Sequence, residues 1–152
     1  MRVQAFSAVL ALAFTGSAVA FAATGNRVAA RPDLVVSSIS NPPDVALPGH
    51  SFQIRDRTRN IGRAAAGPTV TRYYLSANGR RTGAGHRPVP RLRAGHSSAA
   101  AGTVTVAATL KPGVYSLLAC ADGSGAVRES SERDNCRTAA TKLIVKKPPP
   151  PV

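Results

Sequence analysis

The chain of 152 residues has no tryptophan, one methionine and two cysteines, and aromatic residues make up only 5% of it. A core must therefore be built mainly from Val, Leu, Ile and Ala, and aromatic platforms on which nucleic-acid bases could stack are scarce. No stretch has sustained helical periodicity, which argues against a helical protein. No Gly-x-Ser-x-Gly motif occurs, so the sequence offers no sign of a nucleophilic hydrolase.

The amino-terminal segment predicts export. Arg2 precedes an apolar run over residues 5–14, and small residues follow, as in a secretory signal peptide. The run is about half of the roughly 20 residues that cross a bilayer, so no transmembrane segment is expected in the mature chain. We favour a signal peptide over residues 1–22 with cleavage after Ala22, although Ala20 also fits, and residues 23–31 are predicted to be a linker. The protein is thus expected to be secreted, in the extracellular space or cell envelope.

Cys120 and Cys136, the only cysteines, are separated by about 15 residues. In an exported chain, two cysteines predict one structural disulfide. A bridge that closes a loop of this length contributes on the order of 3 kcal/mol. We therefore expect it to tie together the last two strands.

Extended runs bounded by turn residues recur along the chain. The predicted strands cover residues 33–40, 51–60, 69–76, 103–106, 114–121 and 138–145, with an irregular basic excursion over residues 80–90 that holds a short strand near Val89. Asn78-Gly79 is a strong hairpin signal. About seven strands without a helix predict an all-β fold, an antiparallel immunoglobulin-like β-sandwich.

Residues 51–60 alternate between two faces. Phe52 and Asp56 fall on the face expected to be buried, whereas the three arginines of this segment fall on the other face and are expected to face water. A buried carboxylate needs a partner. We therefore expect Asp56 to hydrogen-bond to a loop or an arginine.

The charge of the chain is unevenly distributed. The formal net charge is +13, ten arginines lie in residues 55–93 with Asp56 as the only acid, and four of the seven acids lie in residues 122–134. Clustered guanidinium groups favour carboxylate, sulfate and phosphate partners. Equally, the charge could serve solubility alone. The predicted anion-binding residues are Arg55, Arg57, Arg59, Arg80, Arg81, Arg87, Arg91 and Arg93.

Several separated motifs resemble CARDB, the bacterial cell-adhesion-related domain. They are Pro32-Asp33-Leu34, Leu47-Pro48-Gly49, Asn60-Ile61-Gly62, Tyr74-Leu75-Ser76, Lys111-Pro112-Gly113 and, inside the cysteine-bounded hairpin, Ala121-Asp122, Val127, Glu129, Glu132 and Asn135. Asp134 stands where the family has the first asparagine of a final pair. The resemblance implies a seven-stranded sandwich that acts as an extracellular adhesion or binding module, and it implies no catalytic residue.

Two alternative interpretations involve a metal site. Carboxylates and an amide of the hairpin could bind calcium, although their spacing does not match an EF-hand and a structural role in the turn is favoured. Three histidines could bind zinc, although nothing in the sequence brings them together. The residues concerned are Asp122, Glu129, Glu132, Asp134 and Asn135 for calcium and His50, His86 and His96 for zinc.

The sequence thus predicts a single non-catalytic domain over residues 32–146 with a proline-rich tail over residues 147–152. Its expected partners are an anionic cell-surface polymer, a glycan or a surface protein, with no base-specific recognition of nucleic acid. No metal or other cofactor is predicted. The alternative is a secreted metal-dependent protein or enzyme that uses the acidic hairpin or the histidines.

Overall fold

The computed structural model describes residues 29–150. Eight strands occur there: β1 (Leu34–Ile39), β2 (Val45–Ala46), β3 (Ser51–Asn60), β4 (Thr69–Ala77), β5 (Arg80–Val89), β6 (Ser97–Thr105), β7 (Gly113–Cys120) and β8 (Cys136–Val145). No helix in this part of the chain is long and apolar enough to cross a membrane. The predicted signal peptide, residues 1–22, and most of the predicted linker lie outside the described residues.

The strands form two sheets. One has the order β1-β3-β6, and the other has the order β2-β8-β7-β4-β5. All pairs are antiparallel except β2 with β8, in which Val45 and Ala46 run parallel to Ile144 and Val145. The predicted all-β sandwich is confirmed, with a two-residue parallel edge strand in addition to the seven longer strands.

The core lies between the two sheets, and buried residues alternate with exposed ones along strands such as β3 and β6, whereas the last four residues of β7 are all buried. In β3, Ile54, Asp56, Thr58 and Asn60 are buried, and the residues between them are exposed. Tyr73 of β4 is fully buried and is the largest side chain of the core. The other buried residues of the hydrophobic core are Val, Leu, Ile and Ala, as the scarcity of aromatics predicts.

Two glycines allow the sheets to approach each other where β5 meets β6. A Cβ atom on Gly102 would lie 2.0 Å from the Tyr73 hydroxyl, and one on Gly85 would lie 2.3 Å from the Thr103 carbonyl oxygen. Gly85 also has a φ of 138°, which side chains rarely adopt. Both positions therefore require glycine for this packing.

The structure of residues 80–90 differs from the prediction. Instead of an irregular excursion, Arg80–Val89 is a ten-residue strand paired with β4 along its length, with one bulge opposite Tyr73 and Tyr74. Its glycines and Pro88 are tolerated because β5 is an edge strand. The hairpin at Asn78-Gly79 is confirmed, with φ of 50° and 74°.

Candidate functional site

Three arginines stand in a row on the outer face of the three-stranded sheet. Arg55, Arg57 and Arg59 are exposed on β3, the central strand of that sheet, and alternate with the buried residues that fix the strand's orientation. Residues two apart on a strand are separated by roughly 6.5–7 Å. We call this row the arginine ladder.

Small side chains flank the arginine ladder. In the register of β3 with β6, Arg55 lies opposite Ala101, Arg57 opposite Ala99 and Arg59 opposite Ser97. On the other flank, Ser40 Oγ accepts the backbone N–H of Arg55 at 2.9 Å. The arginines therefore form a ridge above a low surface, which leaves their guanidinium groups accessible.

No carboxylate among the described residues pairs with the arginine ladder. The only ion pair among residues 29–150 joins Arg87 to Asp56. The guanidinium of Arg57 makes one weak side-chain contact, with Ser97 Oγ at 3.5 Å. The donors of the ladder are thus available to an external anion.

Arg87 was predicted to bind anions at the surface, and this prediction is wrong. The residue is 3% exposed. Its Nε donates to Asp56 Oδ2 at 2.7 Å and its Nη2 to Asp56 Oδ1 at 2.5 Å. In strand β5, Arg87 shares the inward face with Val89, so its side chain enters the sandwich. The predicted partner for the buried Asp56 is thereby confirmed as an arginine.

Tyr73 completes this buried polar cluster. Its hydroxyl donates to Asp56 Oδ2 at 2.6 Å. Burial, reinforced by the neighbouring carboxylate, raises the pKa of Tyr73 well above its usual value. Burial acts to lower the pKa of Arg87, but the hydrogen bond and the charge of Asp56 outweigh it, and the net direction is upward. At neutral pH the Arg87 guanidinium therefore stays charged and the Tyr73 phenol stays neutral.

The remaining predicted arginines divide between two places. Arg80 and Arg81 begin β5 and belong to the five-stranded sheet, not to the sheet of the arginine ladder. Arg91 and Arg93 are exposed in the loop before β6. That loop is tied to the end of β3, because Asn60 Nδ2 donates to the Leu92 carbonyl oxygen at 3.1 Å. Arg91 and Arg93 therefore extend the basic surface at the Arg59 end.

A second basic surface was missed. Arg72, opposite Cys120 in β7, and Lys142, opposite Ser116, lie on the outer face of the five-stranded sheet, which Arg81 shares. Arg72 lies between the buried Thr71 and Tyr73, so strand alternation could have identified it as outward-facing. Positive charge thus occupies both outer faces of the sandwich.

Cys120 and Cys136 are joined by a disulfide, as predicted. They are directly opposite each other in the antiparallel pair of β7 and β8. The bridge therefore closes the loop of residues 121–135, the cysteine loop, within one sheet. It does not connect the two sheets.

The carboxylates of the cysteine loop bind backbone groups. Asp122 accepts the N–H groups of Ala126 at 3.0 Å and Val127 at 2.9 Å, and the Thr69 hydroxyl. Glu132 Oε1 accepts the Glu129 N–H at 3.2 Å. Asp134 is exposed. These contacts support the structural role that the sequence favours for the hairpin.

Glu129 connects the cysteine loop to the first strand. It is 4% exposed, and its Oε1 accepts the Leu34 N–H at 3.0 Å. Its Oε2 accepts the amide of Asn135 at 2.7 Å. Burial, together with the nearby charge of Glu132 and despite the hydrogen bond from Asn135, raises the pKa of Glu129 to about 7.

The histidines are not brought together. His50 precedes the first residue of β3, and the backbone of His96 bonds to Asn60, its last residue. A ten-residue strand separates these ends by about 30 Å. Within residues 29–150, no group of three or more His, Cys, Asp or Glu side chains could hold a metal ion.

Comparisons with known proteins agree with this architecture. The CARDB family model matches residues 31–139. The crystal structure of a CARDB domain from Pyrococcus furiosus, described as a complex with di-metal ions, is 24% identical, with a TM-score of 0.52 over 76% of this chain and 90% of that one. A solution structure of the same domain is 23% identical, with a TM-score of 0.51 over 76% and 95%.

A third structure is a domain of a Methanosarcina acetivorans protein that carries a provisional cell-surface description. It is 22% identical, with a TM-score of 0.53 over 76% of this chain and 93% of that one. At these identities the likeness shows the fold. No curated protein matches the chain at a significant level. Because the family model covers more than half of the sequence and the sandwich agrees with it, this chain belongs to the CARDB family.

Proposed function

We propose that the protein is a secreted, non-catalytic binding module whose arginine ladder contacts anionic polymers or glycans of a cell surface. The observation that carries the proposal is the row of three exposed arginines without a carboxylate partner among the described residues. In a protein with +13 formal charge, such a row is the natural contact for a negatively charged chain.

The chemistry of the ladder favours oxyanions. A guanidinium group presents parallel N–H donors that match the two oxygens of a carboxylate, sulfate or phosphate. Three such groups along about 13–14 Å can contact successive charges of a flexible polymer. Each exposed contact is weak, so affinity comes from their number.

The shape of the surface supports a polymer over a small molecule. The ladder rises from a sheet whose residues opposite it on β6 are alanine and serine, and it is not a pocket. Arg91 and Arg93 lengthen the basic surface beyond Arg59. Aromatic side chains that could stack bases are few, so binding is expected to depend on charge and not on nucleotide sequence.

The proposed location is the extracellular space or cell envelope, and the proposed mature domain spans residues 32–146. The apolar export-like segment over residues 1–22 and a cell-surface description for a relative with this fold support this location. We propose no metal site. The di-metal complex belongs to the Pyrococcus furiosus domain, and in this chain the oxygens of Asp122 and Glu129 accept hydrogen bonds from the protein itself.

The test is retention on immobilised heparin and on teichoic acid along a salt gradient. The ladder variant R55S/R57S/R59S should elute at clearly lower salt than the wild type, because fewer counterions are released on binding. The matched control is R128S/R133S/R137S, which removes the same charge from exposed arginines outside the ladder.

The control should elute closer to the wild type than the ladder variant does. Equal elution of the two variants would mean that only net charge matters. Absence of retention at low ionic strength would mean that the arginines serve solubility alone. Either result contradicts the proposal.

A further inference from the structure

The guanidinium group of Arg81 lies over the disulfide. Its Nη1 is 3.9 Å from Cys136 Sγ and 4.0 Å from Cys120 Sγ. Arg81 has no ion-pair partner among residues 29–150. A cation that is not neutralised by a carboxylate therefore lies beside both sulfur atoms.

The two cysteine residues differ in exposure. Cys136 is exposed, whereas Cys120 is 6% exposed. A thiolate that attacks a disulfide must approach one sulfur along the S–S axis, on the side away from the other sulfur. Access therefore favours attack on Cys136, with Cys120 as the leaving group.

Positive charge near the sulfurs promotes this exchange. Thiol–disulfide exchange begins with a thiolate, passes through a state in which negative charge is spread over three sulfurs, and releases another thiolate. A cation within about 4–6 Å stabilises the charged form of a neighbouring group. The position of Arg81 suits the departing Cys120 thiolate as well as the attacked Cys136.

We propose that the Cys120–Cys136 disulfide is an exchange-reactive modification site that accepts a small thiol on Cys136. The thiolate sulfur forms a new S–S bond with Cys136 Sγ, and the electron pair of the old bond leaves on Cys120 Sγ. The resulting Cys120 thiolate pairs with Arg81. Attack by Cys120 on the mixed disulfide reverses the step and releases the small thiol, so no further oxidant or reductant is consumed.

The surrounding fold does not depend on the bridge alone. The Ala121 N–H donates to the Asn135 carbonyl oxygen at 2.9 Å directly after the disulfide pair. Glu129 accepts the N–H of Leu34 in β1, and the Ser130 hydroxyl donates to Asp33 Oδ2 at 2.8 Å. The cysteine loop is thus held at other points, and modification of Cys136 need not unfold the domain.

The test is the rate at which the oxidised full-length protein forms an adduct with 2-mercaptoethanol, a neutral thiol, followed by intact mass and peptide mapping. R81Q should slow the reaction about three- to tenfold, since a leaving thiol with a higher pKa departs more slowly. R81K should restore part of the rate. R80Q removes the neighbouring charge without touching the sulfurs, and its rate should stay within about twofold of the wild type.

The site of the adduct is a second readout. We expect the thiol on Cys136 and a free thiol at Cys120. Equal rates for R81Q and R80Q would overturn the role of Arg81, and an adduct found mainly on Cys120 would overturn the direction of attack. Circular dichroism of each oxidised variant verifies that the rates compare folded proteins.

Discussion

Asp56 of β3 and Arg87 of β5 form a two-point ion pair that joins the two sheets across 31 residues of sequence. The Asp56 side chain is fully buried, and that of Arg87 is 4% exposed. Arg87 Nη2 also donates to the Ser98 carbonyl oxygen at 3.0 Å, which ties in β6. Such a deeply buried ion pair adds little net stability compared with well-packed apolar residues of similar volume. Removing one partner, however, leaves the other charge buried without a counter-charge, which strongly destabilises the fold.

Asp56→Asn should therefore destabilise the domain strongly. The substitution leaves the Arg87 guanidinium buried without a counter-charge, for which a loss of about 3–5 kcal/mol is typical. Urea unfolding of the purified domain measures the change. Asp44→Asn, at an exposed carboxylate without an ion-pair partner within residues 29–150, is the control and should change stability by less than about 0.5 kcal/mol. A similar small effect for both variants would contradict the role of the pair.

Glu129 should make the domain more stable in mild acid than at neutral pH. Its pKa is raised from 4.5 to about 7, so between these values the folded state binds more protons than the unfolded state. Its contribution to the free energy of unfolding is therefore full below pH 4.5, falls as pH rises, and levels off above about pH 7. The total change is at most about 3 kcal/mol.

The measurement is the free energy of unfolding between pH 4.5 and 8. Glu129→Gln should lose this part of the pH dependence, because glutamine does not ionise. Glu132 and Asp122, whose charges act on Glu129, remain in the variant, as do the histidines. An unchanged pH slope in the variant would show that other groups are responsible.

Calcium and zinc should leave thermal stability unchanged. The oxygens of Asp122 and Glu129 are already hydrogen-bonded to the protein, and the histidines are far apart. A ligand of the native state at a hundred times its Kd would add about 2.7 kcal/mol. Differential scanning calorimetry with millimolar calcium or micromolar zinc checks this, and a clear rise in Tm would indicate a metal site.

The exported protein should begin near Ala23. Apolar residues followed by small residues predict cleavage after Ala22, with Ala20 as the competing site. Amino-terminal sequencing of protein recovered outside the cell determines the position. Material that begins at Met1 would contradict both the signal peptide and the proposed location.

Local sequence determined the strands whose pattern is regular. In β3, strict alternation identified Arg55, Arg57 and Arg59 as outward-facing and placed Asp56 in the core. The Asn78-Gly79 turn depends on two residues that tolerate positive φ, so it too was predictable. The disulfide followed from the presence of only two cysteines in an export-like sequence.

Only the tertiary structure determined which residues meet across the sandwich. In β5 the glycines, Pro88 and basic residues obscure the strand pattern, and pairing with β4 overcomes their low β-propensity. As a result, Arg87 enters the core opposite Asp56, whereas Arg81 extends to the disulfide. These contacts join residues at least 31 positions apart. Alternation along one strand specifies which face a side chain lies on, but it does not specify its partner on another strand.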